Sequence, residues 1–181
     1  LCLVFSLGTL VYYKYSGLLM STFGKTDFAA PILPIGISFY TFQSLSYVID
    51  VYRGNVKAQR SWSNFAMYIS LFPQLIAGPI VRYADVEGQI TRRKHSCKSI
   101  FLGIRRFTVG LAKKVLLANQ IGMLWDTVSA MENLSVLGAW LGAIAFALQI
   151  YFDFSAYSDM AIGLGRMFGF TFTENFRYPY Q

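Results

Sequence analysis

From Leu134 to Phe152 the sequence is almost wholly apolar. At about 1.5 Å of helical rise per residue, such a run approaches the hydrocarbon thickness of a bilayer, about 30 Å. Two carboxylates, Asp153 and Asp159, follow at once in the stretch Gln149 to Arg166. An unpaired carboxylate at membrane depth costs about 2.5–3.5 kcal/mol even on insertion scales, so it faces a bundle interior, a watery cavity or a partner. A chain with this stretch is therefore expected to fold as helices packed on other helices.

At about 100° per residue, Ser155, Asp159, Ile162 and Arg166 share one side of a helix, and Gln149, Asp153 and Tyr157 share another. Asp153 with Tyr157, and Ser155 with Asp159, are spaced to bond along the helix surface and reduce the burial penalty. Arg166 lies two turns beyond Asp159, too far for an ion pair within one straight helix. The competing reading puts both carboxylates at the membrane boundary, hydrated and without chemistry.

The composition agrees with a membrane interior: of 181 residues, 55% are hydrophobic and only 14% charged, which fits an all-α polytopic membrane protein better than a soluble domain. The net charge of +7 resides in short loops and helix edges, where it follows the preference of positive loops for the cytoplasm rather than pointing to nucleic acid. Cys2 and Cys97 fit no disulfide or metal spacing, and no metal site is expected. The chain starts at Leu1 and stops after Tyr180-Gln181, which reads as a single domain over 1–181 truncated at both ends.

Leu1 to Met20 reads as a spanning helix with Lys14 snorkelling among tyrosines. Pro31 or Pro34 opens a second apolar helix, Ile35 to Val51, whose Ser38, Tyr40, Thr41, Gln43 and Ser44 require a side packed on other helices. In Phe65 to Val81, breaks at Pro73, Gly78 and Pro79 free backbone groups that hydrocarbon cannot satisfy. With basic residues on both flanks, this segment is expected to be a re-entrant hairpin entering and leaving on one side.

His95, the sole histidine, sits in a basic linker without a carboxylate neighbour and reads as a solvated loop residue, not a general base. Over Ile100 to Trp125, Phe101, Ile104, Thr108, Leu111, Val115, Ala118 and Gly122 line one helical face. Arg105, Arg106, Lys113 and Lys114 occupy the opposite half, which predicts an amphipathic membrane-surface helix or a tilted one. Those cations suit phosphate groups of anionic lipid or of a nucleotide donor, and the lack of a Gly-rich cradle favours lipid. Leu134 to Phe172 is too long for one crossing and is expected to break at Gly163, Gly165 or Gly169.

Four stretches, Phe72 to Tyr83, Gly110 to Lys114, Tyr151 to Gly163 and Glu174 to Tyr180, together resemble the membrane-bound O-acyltransferases, in the family's order. The resemblance implies a ring of spanning and re-entrant helices in a bacterial cytoplasmic membrane, with a tunnel through its thinned centre. It implies an acyl thioester donor, acetyl-CoA or an acyl carrier, as substrate, with no bound cofactor. The acceptor would be the hydroxyls of an exported polysaccharide such as alginate, reached through extracytoplasmic transferase partners.

The family's catalytic histidine is expected beyond Gln181, so no residue of this chain is assigned to catalysis and the chain alone is expected to be inactive. By the same resemblance Gln149, Asp153, Ser155, Tyr157 and Asp159 would line or brace the tunnel. Asn175, Arg177 and Tyr178 would position the approach to the histidine. A second class is a proton- or cation-coupled transporter using Asp153 and Asp159, and a third is a noncatalytic assembly subunit.

Overall fold

The computed structural model describes residues 2–24, 31–74 and 81–176, and among them the secondary structure is helical with no strand. The sequence-predicted residues Gly78, Pro79, Arg177 and Tyr178 lie outside the described residues. The chain forms two compact units, residues 1–76 with 82–91, and residues 77–81 with 92–181.

In the first unit, α1 (Cys2–Leu10), a π-helical turn (Val11–Tyr15) and α2 (Ser16–Thr22) form one continuous apolar helix of 21 residues, long enough to cross a membrane. Lys14 lies over the Tyr15 ring and donates to Ser38 Oγ at 2.9 Å, on α3 (Ile37–Tyr52). The start of α3 is set by Gly36, whose φ of 77° is open to glycine, rather than by Pro31 or Pro34. Its polar side packs inward as expected: Thr41 is buried, and Gln43 Nε2 donates to the Tyr68 carbonyl at 3.0 Å.

Ser61 caps α4 (Trp62–Ile69) by accepting from Asn64 N. The chain then tightens into a 3₁₀ turn, Phe72–Gln74, with Pro73 buried in it. In α5 (Tyr83–Thr91), Tyr83 and Val86 are fully buried. The Tyr83 ring meets Tyr47 and Tyr68 edge to face, at centroid distances of 4.9 and 5.1 Å. Burial raises the pKa of the Tyr83 phenol, against the smaller opposing effect of the hydrogen bond it accepts from Gln59 Nε2 at 2.8 Å. Tyr83→Ala is expected to cost about 3–5 kcal/mol of stability, as large-to-small changes of buried aromatics do. Unfolding of the detergent-solubilised intact protein measures it, and a loss below about 1 kcal/mol would show that this aromatic cluster is not a core.

In the second unit, Ser96 caps α6 (Cys97–Ala112) by accepting from Ser99 N at 3.1 Å. A π-helical turn (Lys113–Ala118) joins α6 to α7 (Asn119–Ser129) without a break. After a short loop, Ser135 accepts from Gly138 N and starts α8 (Val136–Met167), 32 residues and about 48 Å long. Helix α8 runs back along α6 and α7: Gly103 abuts Gly163 and Met167, Gly110 abuts Ala156 and Met160, and Gly122 abuts Gln149. A Cβ built on Gly163 would stand 2.7 Å from both Gly103 O and Phe107 N, so the two backbones touch there.

Two sequence expectations change here. Helix α8 does not break at Gly163 or Gly165, because both are buried packing sites; it ends at Gly169, φ 81°. There Phe170 N bonds Gly165 O and Gly169 N bonds Arg166 O, closing a Schellman motif. The membrane-surface reading of Ile100 to Trp125 also fails in its orientation. Phe101, Ile104, Leu111 and Val115 are exposed, while Arg106, Lys113 and Lys114 turn toward α8. Ala118 and Gly122, expected on the same face as Phe101, are buried instead, because the π-helical turn shifts the helical phase between them.

Candidate functional site

Both carboxylates of α8 are met by cations from the facing helix. Asp159 Oδ1 accepts from Arg106 Nε at 3.1 Å and Nη2 at 2.9 Å, and Asp159 Oδ2 accepts from Lys113 Nζ at 2.5 Å. Its side chain is only 16% exposed. Lys113 Nζ also reaches the buried Ser155 Oγ, at 3.4 Å. Six residues earlier on α8, Asp153 Oδ1 pairs with Lys114 Nζ at 2.5 Å, and that ammonium lies 5.1 Å from the centre of the Tyr157 ring. The carboxylates are thus partnered across helices, rather than by Tyr157 and Ser155 along their own.

The segment after α8 is tied to the same cluster. Phe172 packs its ring on Gly165, so close that a Cβ there would stand 2.1 Å from the ring. Phe170 stacks on Phe172, and the Arg93 guanidinium lies over Phe170. This folded-back path brings Glu174 Oε1 to 2.7 Å from Arg106 Nη1. Arg106 therefore joins Asp159 on α8 to the strap at 173–176. A cavity of about 30 Å³ lies among them, lined in part by Ser155, Asp159, Glu174 and Asn175, enough for about one water.

Of the residues singled out from sequence, Ser155, Asp159 and Asn175 come together at this cavity, and Asp153 and Tyr157 share Lys114. Gln149 stands apart against Gly122, and its Oε1 is buried with no hydrogen-bond partner among the described residues. Pro73 belongs to the other unit. His95 is exposed in its linker, beside Gly169. Arg106, Lys113, Lys114 and Glu174 were not expected in the site. The signal for two of them was present: Arg106 and Lys113 are seven residues apart, hence on one helical face, where a single carboxylate on a facing helix can take both.

The arrangement does not make Asp159 a general base, since both its oxygens already accept charged hydrogen bonds. It makes a rigid polar brace between α8, which is long and apolar enough to cross a membrane, and the helix α6 beside it.

The sequence profile of the membrane-bound O-acyltransferase family matches residues 56–180. Among curated proteins, the chain is 46% identical over 183 residues to the probable alginate O-acetylase AlgI of Pseudomonas putida, covering 96% of this chain and 38% of that protein. It is 31% identical over 212 residues to the peptidoglycan O-acetyltransferase of Helicobacter pylori, covering 99% and 40%. It is 25% identical over 151 residues to the teichoic acid D-alanyltransferase of Bacillus subtilis, covering 81% and 38%. The chain thus spans about two fifths or less of the length of each of these relatives.

Proposed function

Because the chain belongs to the membrane-bound O-acyltransferase family, we propose that the intact protein transfers an acetyl group from a cytoplasmic thioester donor to hydroxyls of an exported polysaccharide such as alginate. The relatives' named reactions differ in the group moved, acetyl or D-alanyl, and the higher identity lies with the acetyl-transferring proteins. The reading places the protein in a bacterial inner membrane as a multi-pass chain, with 1–181 as part of its transmembrane domain and 65–81 as a re-entrant hairpin. Extracytoplasmic transferases would carry the acetyl group on to the polymer.

One observation carries the reading: a carboxylate on a helix of membrane-spanning length is held by two cations of the facing helix, and the strap at Glu174 is fastened to one of them, Arg106. Polar groups turned inward and apolar ones outward are the order expected of helices in lipid around a polar path. In the reaction, the acceptor hydroxyl attacks the thioester carbonyl, a base outside this chain takes the hydroxyl proton, and the thiol leaves. Asp159, Arg106 and Glu174 hold the strap that leads to that base, while Ser155 and Asn175 border the passage. The transport reading finds less support, since Asp153 and Asp159 are both engaged in ion pairs.

A strain deleted for the intact protein should lose O-acetyl groups from its exported polysaccharide and regain them on complementation. Unchanged acetyl content in the deletion strain, with altered proton or cation flux, would replace this reading by transport. Complementation with His95→Ala should restore acetylation within about twofold of wild type, because His95 is exposed and none of the cluster's ion pairs involves it. Loss of acetylation in that variant would move the reaction to the basic linker.

A further inference from the structure

We propose that Gln59 is a positioning residue for acyl transfer: it clasps the entry and the exit of the broken segment at 65–81 together, and so sets how that segment stands in the enzyme. The proposal rests on the re-entrant and acyl-transfer readings above and adds to them the residue that holds the hairpin's base.

Gln59 is half-buried in the irregular stretch between α3 and α4. Three of its polar groups reach three different neighbours. Its backbone N donates to the Tyr47 hydroxyl on α3 at 2.8 Å, and its Nε2 donates to the Tyr83 hydroxyl, on the first residue of α5, at 2.8 Å. Its Oε1 accepts from Ser61 N at 3.0 Å, and Ser61 is the residue that caps α4. Val56, 5% exposed, pins the same stretch from the other side.

The two ends so joined are distant in sequence. Gln59 and Tyr83 are 24 residues apart, a separation that would rise about 36 Å as one helix and pass through a bilayer core of about 30 Å. Instead a hydrogen bond links them. Helix α4 has only 8 residues, about 12 Å, before the 3₁₀ turn at Phe72–Gln74. This favours a segment that returns to its point of departure over one that crosses.

An amide suits this place because it donates to a phenol and accepts from a backbone N–H at once. The phenol it meets cannot turn to water: Tyr83 is fully buried, with its ring set edge to face against Tyr47 and Tyr68. Without Gln59 that hydroxyl keeps its position and loses a donor, while the entry of α4 loses its tie to α5. A shift at the base is carried along the segment, and a misplacement of about 1 Å far from the reacting atoms can cost about a hundredfold in rate. Losing one of several contacts at the base is expected to cost less, at least about fivefold.

The test uses the intact protein with its native cysteines replaced by serine and nitroxide labels at Arg60→Cys and Arg82→Cys, two exposed positions flanking the clasp. Dipolar broadening should be strong with Gln59 present, weaker in Gln59→Leu and largely regained in Gln59→Glu, whose carboxylate accepts from the Tyr83 hydroxyl and Ser61 N. At equal membrane levels, Gln59→Leu should lower polysaccharide acetylation at least about fivefold, and Gln59→Glu should recover at least about half. Tyr83→Phe removes only the hydroxyl and serves even if Gln59→Leu does not accumulate; combined with Gln59→Leu it should add little, since both remove one bond. Lys57→Gln, exposed in the same stretch, should change neither readout. Undiminished broadening and acetylation in Gln59→Leu, or fully additive losses in the double variant, overturn the clasp. Labelling of the two cysteines from opposite sides of the membrane overturns the re-entrant reading and the clasp together. Labelling from one side with unchanged broadening overturns the clasp alone, and the broadening does not depend on which reaction the protein performs.

Discussion

Asp159→Asn in the intact protein is expected to lower polysaccharide O-acetylation at least about tenfold and to reduce stability by about 3 kcal/mol or more. Asparagine keeps the shape but removes the charge that lies between Arg106 and Lys113. Lys113 would then face Arg106 with no carboxylate of its own, in a space that is mostly closed, and breaking such a pair by removing one member costs about 3–5 kcal/mol. Arg106 would keep Glu174, so the strap would stay tied to α6 but lose its ionic link through Arg106 to α8. Acetyl content of the polymer, compared at equal membrane levels of wild type and variant, measures the first effect; unfolding in detergent measures the second. Asp159→Glu should recover part of both, since the charge returns with an imperfect fit. Wild-type acetylation and wild-type stability in Asp159→Asn would mean that the brace is dispensable.

Gly163→Ala should destabilise the hairpin by about 1–3 kcal/mol, the usual penalty of forced overpacking. A single methyl there meets backbone on the facing helix, 2.7 Å from Gly103 O and Phe107 N, and backbone cannot swing aside as a side chain does. The helices must separate, and Arg106, one residue before Phe107, moves with them. Gly88→Ala is the matched control: nothing lies within 4 Å of its added carbon, and it sits in α5. An alanine in a helix interior is favoured over glycine by about 0.5–1 kcal/mol, so the control should be neutral or stabilising. Equal behaviour of the two variants would show that the close helix contact does not bear on stability.

Much of this was readable from residues. The apolar run ending in Asp153 and Asp159 called for helices with polar partners, and α8 supplies one of the two described helices long and apolar enough to cross a membrane. The polar side of α3 announced its packing on neighbours. Three things were not readable. The identity of the carboxylates' partners depends on which helix lies alongside, a tertiary fact that local spacing does not carry. The continuity of α8 through Gly163 and Gly165 was hidden because a glycine that admits a neighbour and one that ends a helix look alike in sequence. The inward turn of Arg106, Lys113 and Lys114 reverses the rule of soluble amphipathic helices, in which charge faces outward.

The π-helical turn at Lys113–Ala118 has a consequence for what substitution can and cannot do to this hairpin. Its hydrogen bonds reach one residue further than those of an α-helix, so it works as a phase adjuster: adjacent lysines serve two carboxylates, and Gly122 still arrives opposite Gln149. Side chains along its outer surface are free to vary, whereas the number of residues is not. Removing one would rotate everything beyond it by about 100° and turn Gly122 away from Gln149 of α8.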